Sequence, residues 1–187
     1  MRLSRAFYAE PCLPVAKALL GMHLVHKVER KLFAGRIVET EAYIGEEDQA
    51  CHARFGPTKR ARLLFGPPGH TYVYLIYGMY DCFNVVTQPT GAPAAVLIRA
   101  LEPDAGVEQK TDGPGKLCRA LGITRAQNDV DLTQSSVLWI EDRGTPAKRI
   151  VATPRIGIEY AGAWALKPWR FVDAESAFLS RKLKDKG

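Results

Sequence analysis

Apolar and polar positions along the chain predict one short helix followed mainly by strands. Pro14, Val15, Leu19 and Leu20 lead to Gly21, a pattern that places Pro in the first turn of a helix and Gly at its exit. Segments Leu32–Tyr43, His70–Ile76, Cys82–Thr87 and Ala94–Glu102 are rich in β-branched and aromatic residues. Breakers separate them, among them Gly66-Pro67-Pro68-Gly69 and Pro89-Thr90-Gly91. Links this short favour antiparallel hairpins. Ser136–Glu141 and Ile150–Ile158 predict further strands, the second either weakened or put on an edge by Pro154. Lys116–Leu121 and Ala174–Lys184 read as helices. No internal repeat, low-complexity tract or linker divides the chain. The expectation is one α+β domain over residues 1–187, a curved and largely antiparallel sheet flanked by short helices.

Composition narrows the picture. At 187 residues, 47% hydrophobic and 25% charged, the chain can bury one substantial core and is too short for two ordinary enzyme domains. Apolar runs such as Ala92–Ile98 fall far short of a membrane span, and Met1-Arg2-Leu3-Ser4-Arg5 leads into no signal-peptide core, so an intracellular protein is expected. Cys12, Cys51, Cys82 and Cys118 are scattered without a CxxC pair, which argues for buried thiols over a zinc knuckle or redox pair. The formal charge of +6 is compatible with a polyanionic partner without requiring one. Arg54, Lys59, Arg60 and Arg62 cluster in one loop-like stretch. A second basic run, Arg181, Lys182, Lys184 and Lys186, fits a solvated helix end.

The chemistry concentrates in Arg36-Ile37-Val38-Glu39-Thr40-Glu41-Ala42-Tyr43. In a strand, Glu39, Glu41 and Tyr43 share one face while Val38, Thr40 and Ala42 share the other. A solvated polar face explains that pattern as well as a catalytic one does. The stretch Thr71–Tyr80 carries four tyrosines and ends in a Gly-containing turn. Packing accounts for Tyr72. Tyr74 and Tyr77, beside a basic stretch, also suit a platform for unpaired bases.

Leu97 and Arg99 share a face of the next strand, and Asn84 interrupts an apolar one. A guanidinium in an apolar strand must meet a carboxylate or face a cleft. With Glu41 as its partner it would favour the ionised form that a general base requires, although a purely structural ion pair fits the same residues. His52 follows Cys51 with no second ligand at helical or loop spacing, so packing or hydrogen bonding is expected there and no metal. Asp81, near the turn, carries the wrong sign to meet phosphate and is expected to point away.

Taken in order, Glu39-Thr40-Glu41-Ala42-Tyr43 with Asp48 and His52, Tyr72-Val73-Tyr74-Leu75-Ile76-Tyr77-Gly78-Met79-Tyr80, and Leu97-Ile98-Arg99-Ala100-Leu101-Glu102-Pro103 closely resemble the alkyladenine (methylpurine, 3-methyladenine) DNA glycosylases of mammalian type. Gly113-Pro114-Gly115-Lys116-Leu117-Cys118 and Lys167-Pro168-Trp169-Arg170-Phe171 extend the likeness over most of the chain. The resemblance implies a compact domain, acting as a monomer, that grips double-stranded DNA through the minor groove and rotates a damaged purine out. It implies Glu41 as general base and Arg99 holding the water or the backbone nearby. Tyr43, Tyr74 and His52 would hold the extruded base, with Leu97 in the same pocket, and Tyr77 with Met79 would enter the duplex. Asn84 would collide with the exocyclic amine of an unmodified guanine. Water attacks, no cofactor or lysine nucleophile takes part, and an abasic site is left uncut.

These residue types suit the reaction on general grounds. Breaking an N-glycosidic bond builds positive charge on the sugar, which a carboxylate stabilises while taking a proton from water. Extrusion costs a few kcal/mol, and stacking returns roughly 1–3 kcal/mol per base. Two other readings use the same residues: a module that binds distorted DNA without cleavage, and a hydrolase of free nucleosides that needs neither wedge nor basic surface.

Overall fold

The computed structural model describes residues 1–104 and 106–183. Within them the chain forms α1 (Arg5–Ala9), α2 (Cys12–Ala18), β1 (His23–Val28), β2 (Lys31–Ile44), β3 (Thr71–Ile76), β4 (Tyr80–Val86), β5 (Ala94–Pro103), α3 (Pro114–Leu121), β6 (Leu138–Glu141), β7 (Ile150–Thr153) and β8 (Arg170–Asp173), with 3-10 turns between them. Every strand pairing among the described residues is antiparallel. The main path runs β3-β4-β5-β2-β1-β6, and β7 joins through β8, which pairs with β2. The α+β architecture and its curved, mostly antiparallel sheet are as the sequence predicts.

The long strand β2 organises the sheet. One edge pairs with β5 from Gly35 to Ile44; the other pairs first with β1 and then, from Glu39 to Glu41, with β8. A register shift between Ile37 and Glu39 marks a bulge, which bends a strand and re-aims its side chains. Beyond it the two faces separate. Ala42 joins Ile37, Val96, Ile98, Phe83, Leu117 and Leu121 in the main core beneath α2 and α3. The Thr40 hydroxyl donates to the Ala16 carbonyl at 2.8 Å and ties α2 to the same face. Glu39, Glu41 and Tyr43 are left on the opposite face.

Pro14 stands in the first turn of α2, and Gly21 leaves the helix at φ +93°, where a Cβ would fall 2.7 Å from the Thr145 carbonyl oxygen. All four cysteines are free and buried. The edge strand β7 stops at Thr153, ahead of Pro154, and is shorter than the Ile150–Ile158 pattern suggested.

The helix expected over Ala174–Lys184 does not form. Lys184 lies outside the described residues, and 174–183 are turns and irregular chain. Their amide donors are taken by other partners: Ala174 N–H by the Arg149 carbonyl, Ser176 N–H by the Asp173 carbonyl, and Ser180 N–H by the Glu39 carboxylate. The first amides of a helix have no i−4 partner in any case, so it is at Ser180 that a tertiary acceptor, the Glu39 carboxylate, stands in place of an i−4 carbonyl. Of the C-terminal basic run, Arg181 and Lys182 are exposed, while Lys184 and Lys186 lie outside the described residues.

No helix among the described residues is long and apolar enough to cross a membrane.

Candidate active site

Glu41 is wholly buried at the back of the polar face. Its Oε2 accepts from the Tyr43 hydroxyl at 2.8 Å and from Arg99 Nη1 at 3.2 Å, and its Oε1 accepts from the Ile156 N–H at 2.7 Å. The carboxylate is thus an acceptor on every side. Period-two spacing on β2 brings Tyr43 back over Glu41, and the pairing of Glu41 with Leu97 sets Arg99 of β5 next to them.

Glu39 anchors the other half of the cluster. Its Oε1 accepts from Arg99 Nε at 3.1 Å, Arg170 Nε at 2.7 Å and the Ser180 hydroxyl at 2.7 Å, while Oε2 accepts from Ser180 N–H at 2.7 Å. Burial alone would raise the Glu39 pKa, yet the hydrogen bond and charge of Arg170, with Arg99 and Ser180, hold it below the usual carboxylate range. Burial likewise opposes the charge on Arg99, and the adjacent Glu41 and Glu39 more than offset it, so its pKa rises. A buried ladder Arg170–Glu39–Arg99–Glu41 results.

Tyr43 is fixed from behind. The Arg155 guanidinium lies 4.7 Å from the Tyr43 ring centroid and 5.1 Å from that of Trp169, and it binds both oxygens of Asp48, at 2.6 and 2.8 Å. Burial, then the Glu41 charge, pushes the Tyr43 phenol well above its ordinary pKa, so it stays a donor.

A cavity of about 530 Å³ opens beside this cluster; the Glu41 partners Tyr43, Arg99 and Ile156 line it, while Glu41 itself is wholly buried and not part of the lining. Tyr43, His52, Tyr74, Tyr77, Leu97 and Arg99 all line it. His52 and Tyr74 meet edge to face at 4.7 Å between centroids, and His52 Nδ1 lies 2.9 Å from the Tyr72 hydroxyl. Burial, followed by the charges of Arg60 and Arg54, pushes His52 down to about 4, leaving its imidazole neutral at neutral pH. Leu97, beside Arg99 on β5, contributes an apolar wall.

Two of the expected site residues do not line the cavity. Asn84 is buried behind the cavity, its amide donating to the carbonyls of Tyr72 at 3.0 Å and Cys82 at 3.2 Å, and it is not part of the lining. Met79, 65% exposed, sits in the β3–β4 turn outside the lining as well. In that turn Tyr77 has φ +52° and Gly78 φ +70°, and the Tyr77 side chain is 81% exposed. Left-handed backbone at a tyrosine costs about 1–2 kcal/mol. Asp81 points to Arg125, 3.6 Å away.

Further contributors come from the basic cluster of Arg54, Lys59, Arg60 and Arg62, and from Arg125, which carries no distinctive signal in the sequence. Arg60 lies 4.9 Å from the Tyr74 ring centroid and lines the cavity, and Arg54 lies 4.5 Å from the Phe55 ring centroid and 5.4 Å from that of Tyr160, both rings exposed. Lys59, Arg60, Arg62 and Arg125 line an adjoining groove of about 360 Å³. Gly115, at the start of α3, is needed beside Tyr80, since a Cβ there would fall 2.9 Å from the ring. A larger cleft, about 730 Å³, opens beside His23, Arg36 and Asp104, but it lacks the aromatic wall, and Arg36 is already paired with Glu102 and Asp173. Among the described residues no three His, Cys, Asp or Glu side chains are grouped to hold a metal ion.

The family model described as methylpurine-DNA glycosylase matches residues 6–177. A "Putative 3-methyladenine DNA glycosylase" of Methanocella arvoryzae is 53% identical over 193 residues, covering 96% of this chain and 96% of the relative. Proteins of the same description from Anaeromyxobacter dehalogenans (53% identical, 97% of this chain and 87% of the relative) and Myxococcus xanthus (51% identical, 96% and 93%) are similar. The chain belongs to the methylpurine-DNA glycosylase family.

Proposed function

We propose that this protein is an intracellular, monomeric base-excision enzyme that extrudes an alkylated or deaminated purine from duplex DNA and hydrolyses its bond to deoxyribose. The observation that carries this reading is the buried Glu41 carboxylate held by Tyr43, Arg99 and Ile156, three residues that all line an aromatic cavity. A carboxylate offers about four lone-pair sites, and three are occupied. Oε1 has one donor only, so its remaining lone pair is where an attacking water would bind.

His52 and Tyr74 touch, so a planar purine would fit between that pair and Tyr43, with Leu97 at its edge. The neutral His52 spares a cationic lesion the repulsion of an imidazolium. Tyr77, projecting from a left-handed turn at the cavity's rim, would occupy the space the base vacates, and Met79 beside it would reach the duplex. As the glycosidic bond breaks, Glu41 faces the positive sugar and takes the proton of the water adding to the anomeric carbon. Water is the nucleophile, so the product is an abasic site with an intact strand.

Arg60, Lys59, Arg62 and Arg125 beside the aromatic wall suit the phosphates flanking the extruded nucleotide, contacts that position without reading sequence. The test is a duplex carrying one hypoxanthine or one alkylated purine, incubated with the protein and then treated with alkali. Cleavage at the lesion is expected, with no release of base from the free nucleoside. Intact strands on both duplexes would overturn the reading.

A further inference from the structure

After β8, residues 174–183 cross the polar face of β2 and meet the site at Ser180. The Ser180 backbone N–H and hydroxyl each donate to Glu39 at 2.7 Å, and Arg99 Nη2 donates to that same hydroxyl at 3.4 Å. One residue further, the Arg181 carbonyl accepts from Arg170 Nη2 at 2.8 Å. This segment therefore touches Glu39, Arg99 and Arg170, three members of the buried ladder, and leaves Glu41 free of it.

Two features give the contact a consequence. Glu39 is wholly buried, and among the described residues the Ser180 N–H is what satisfies its Oε2. Arg99 spends Nε on Glu39 and Nη1 on Glu41, so in a rigid planar guanidinium the placement of Glu39 dictates where Nη1 falls. We infer that Ser180 is a positioning residue: the C-terminal segment is a strap that seats Glu39 and, through it, aims Arg99 at Glu41. The inference rests on the reaction proposed above. The family model ends at residue 177, three residues short of Ser180.

Single-turnover excision from a lesion duplex tests it, comparing wild type, S180A, S180T, R99K and S180A/R99K, each normalised to its folded fraction by urea unfolding. S180A is expected to slow excision about threefold to tenfold, the loss of one or two hydrogen bonds. Affinity for the duplex stays unchanged, because Ser180 does not line the cavity. S180T, keeping the hydroxyl, restores the rate, and adding S180A to R99K slows it no further. Should S180A not accumulate folded, S180C carries the same comparison.

An S180A rate equal to wild type, or an S180A penalty undiminished in the R99K background, overturns the strap while leaving the excision reading intact. A wild type that releases no base overturns both.

Discussion

Arg155 backs Tyr43: its guanidinium stands 4.7 Å from the ring centroid while both of its terminal nitrogens reach Asp48. The aromatic wall nearest Glu41 is therefore held by a buried ion pair whose two side chains are fully out of solvent. Removing one partner strands the other charge, a loss of about 3–5 kcal/mol for a buried pair. Asp48→Ala is expected to destabilise by about that amount in urea unfolding and to lower excision by the protein that remains folded. A variant with wild-type stability and rate would mean that Tyr43 is held by other contacts.

His52 makes stability depend on pH. Its pKa is about 4 in the folded protein against an ordinary 6.5, so between these values the unfolded chain binds the extra proton. Stability then rises with pH across that window; it is fully present above about 6.5 and lost progressively as pH falls towards about 4. His52→Gln removes this contribution. The unfolding midpoint, followed from pH 7 to pH 4, should fall less steeply for the variant than for wild type.

Tyr77 projects into solvent from a left-handed turn. Tyr77→Ala should leave the thermal midpoint within about 1 °C, since exposed substitutions stay within about 0.5 kcal/mol. Its affinity for a lesion duplex should fall about tenfold, the lower part of the range for a lost base–aromatic stack. Binding titrations and a melting curve on one preparation separate the two effects. Equal affinity would remove Tyr77 from the account.

Lys59 and Arg62 line the basic groove beside the aromatic wall. If each meets one phosphate, the slope of log affinity against log salt should shrink by about 0.9 for Lys59→Ala and about 1.8 for the double alanine variant. The rate of bond cleavage in the bound complex should not change. An unaltered slope would place the duplex on another surface.

The sheet and the polar face of β2 were legible for different reasons. Period two along Glu39-Thr40-Glu41-Ala42-Tyr43 showed that both carboxylates share a face, and an unpaired guanidinium at Arg99 demanded a carboxylate near it. The first relationship is local; the second spans 58 residues and is legible only because a buried guanidinium cannot be left unpaired. What it hid is long-range. Arg155 lies 107 residues from Asp48, and Ser180 lies 141 from Glu39. Neither residue stands in a pattern that marks it as buried or paired.

β1 escaped notice because His23 and His26, polar by type, are buried in it, with His26 Nδ1 2.7 Å from the Leu121 carbonyl. The C-terminal helix misled for the opposite reason. Its residues favour helix locally, and a tertiary acceptor outside the segment, the Glu39 carboxylate, claimed the Ser180 amide. Asn84 was legible as an odd residue in an apolar strand, but its amide bonds the backbone rather than facing the cavity.

Glu41→Gln is the most direct measurement of all, because the amide keeps the shape and burial of the side chain and loses the base. On a duplex with one alkylated or deaminated purine, single-turnover base release should fall by at least about a hundredfold, while lesion binding persists near the wild-type level. Release at an undiminished rate would contradict a carboxylate at this position activating the water.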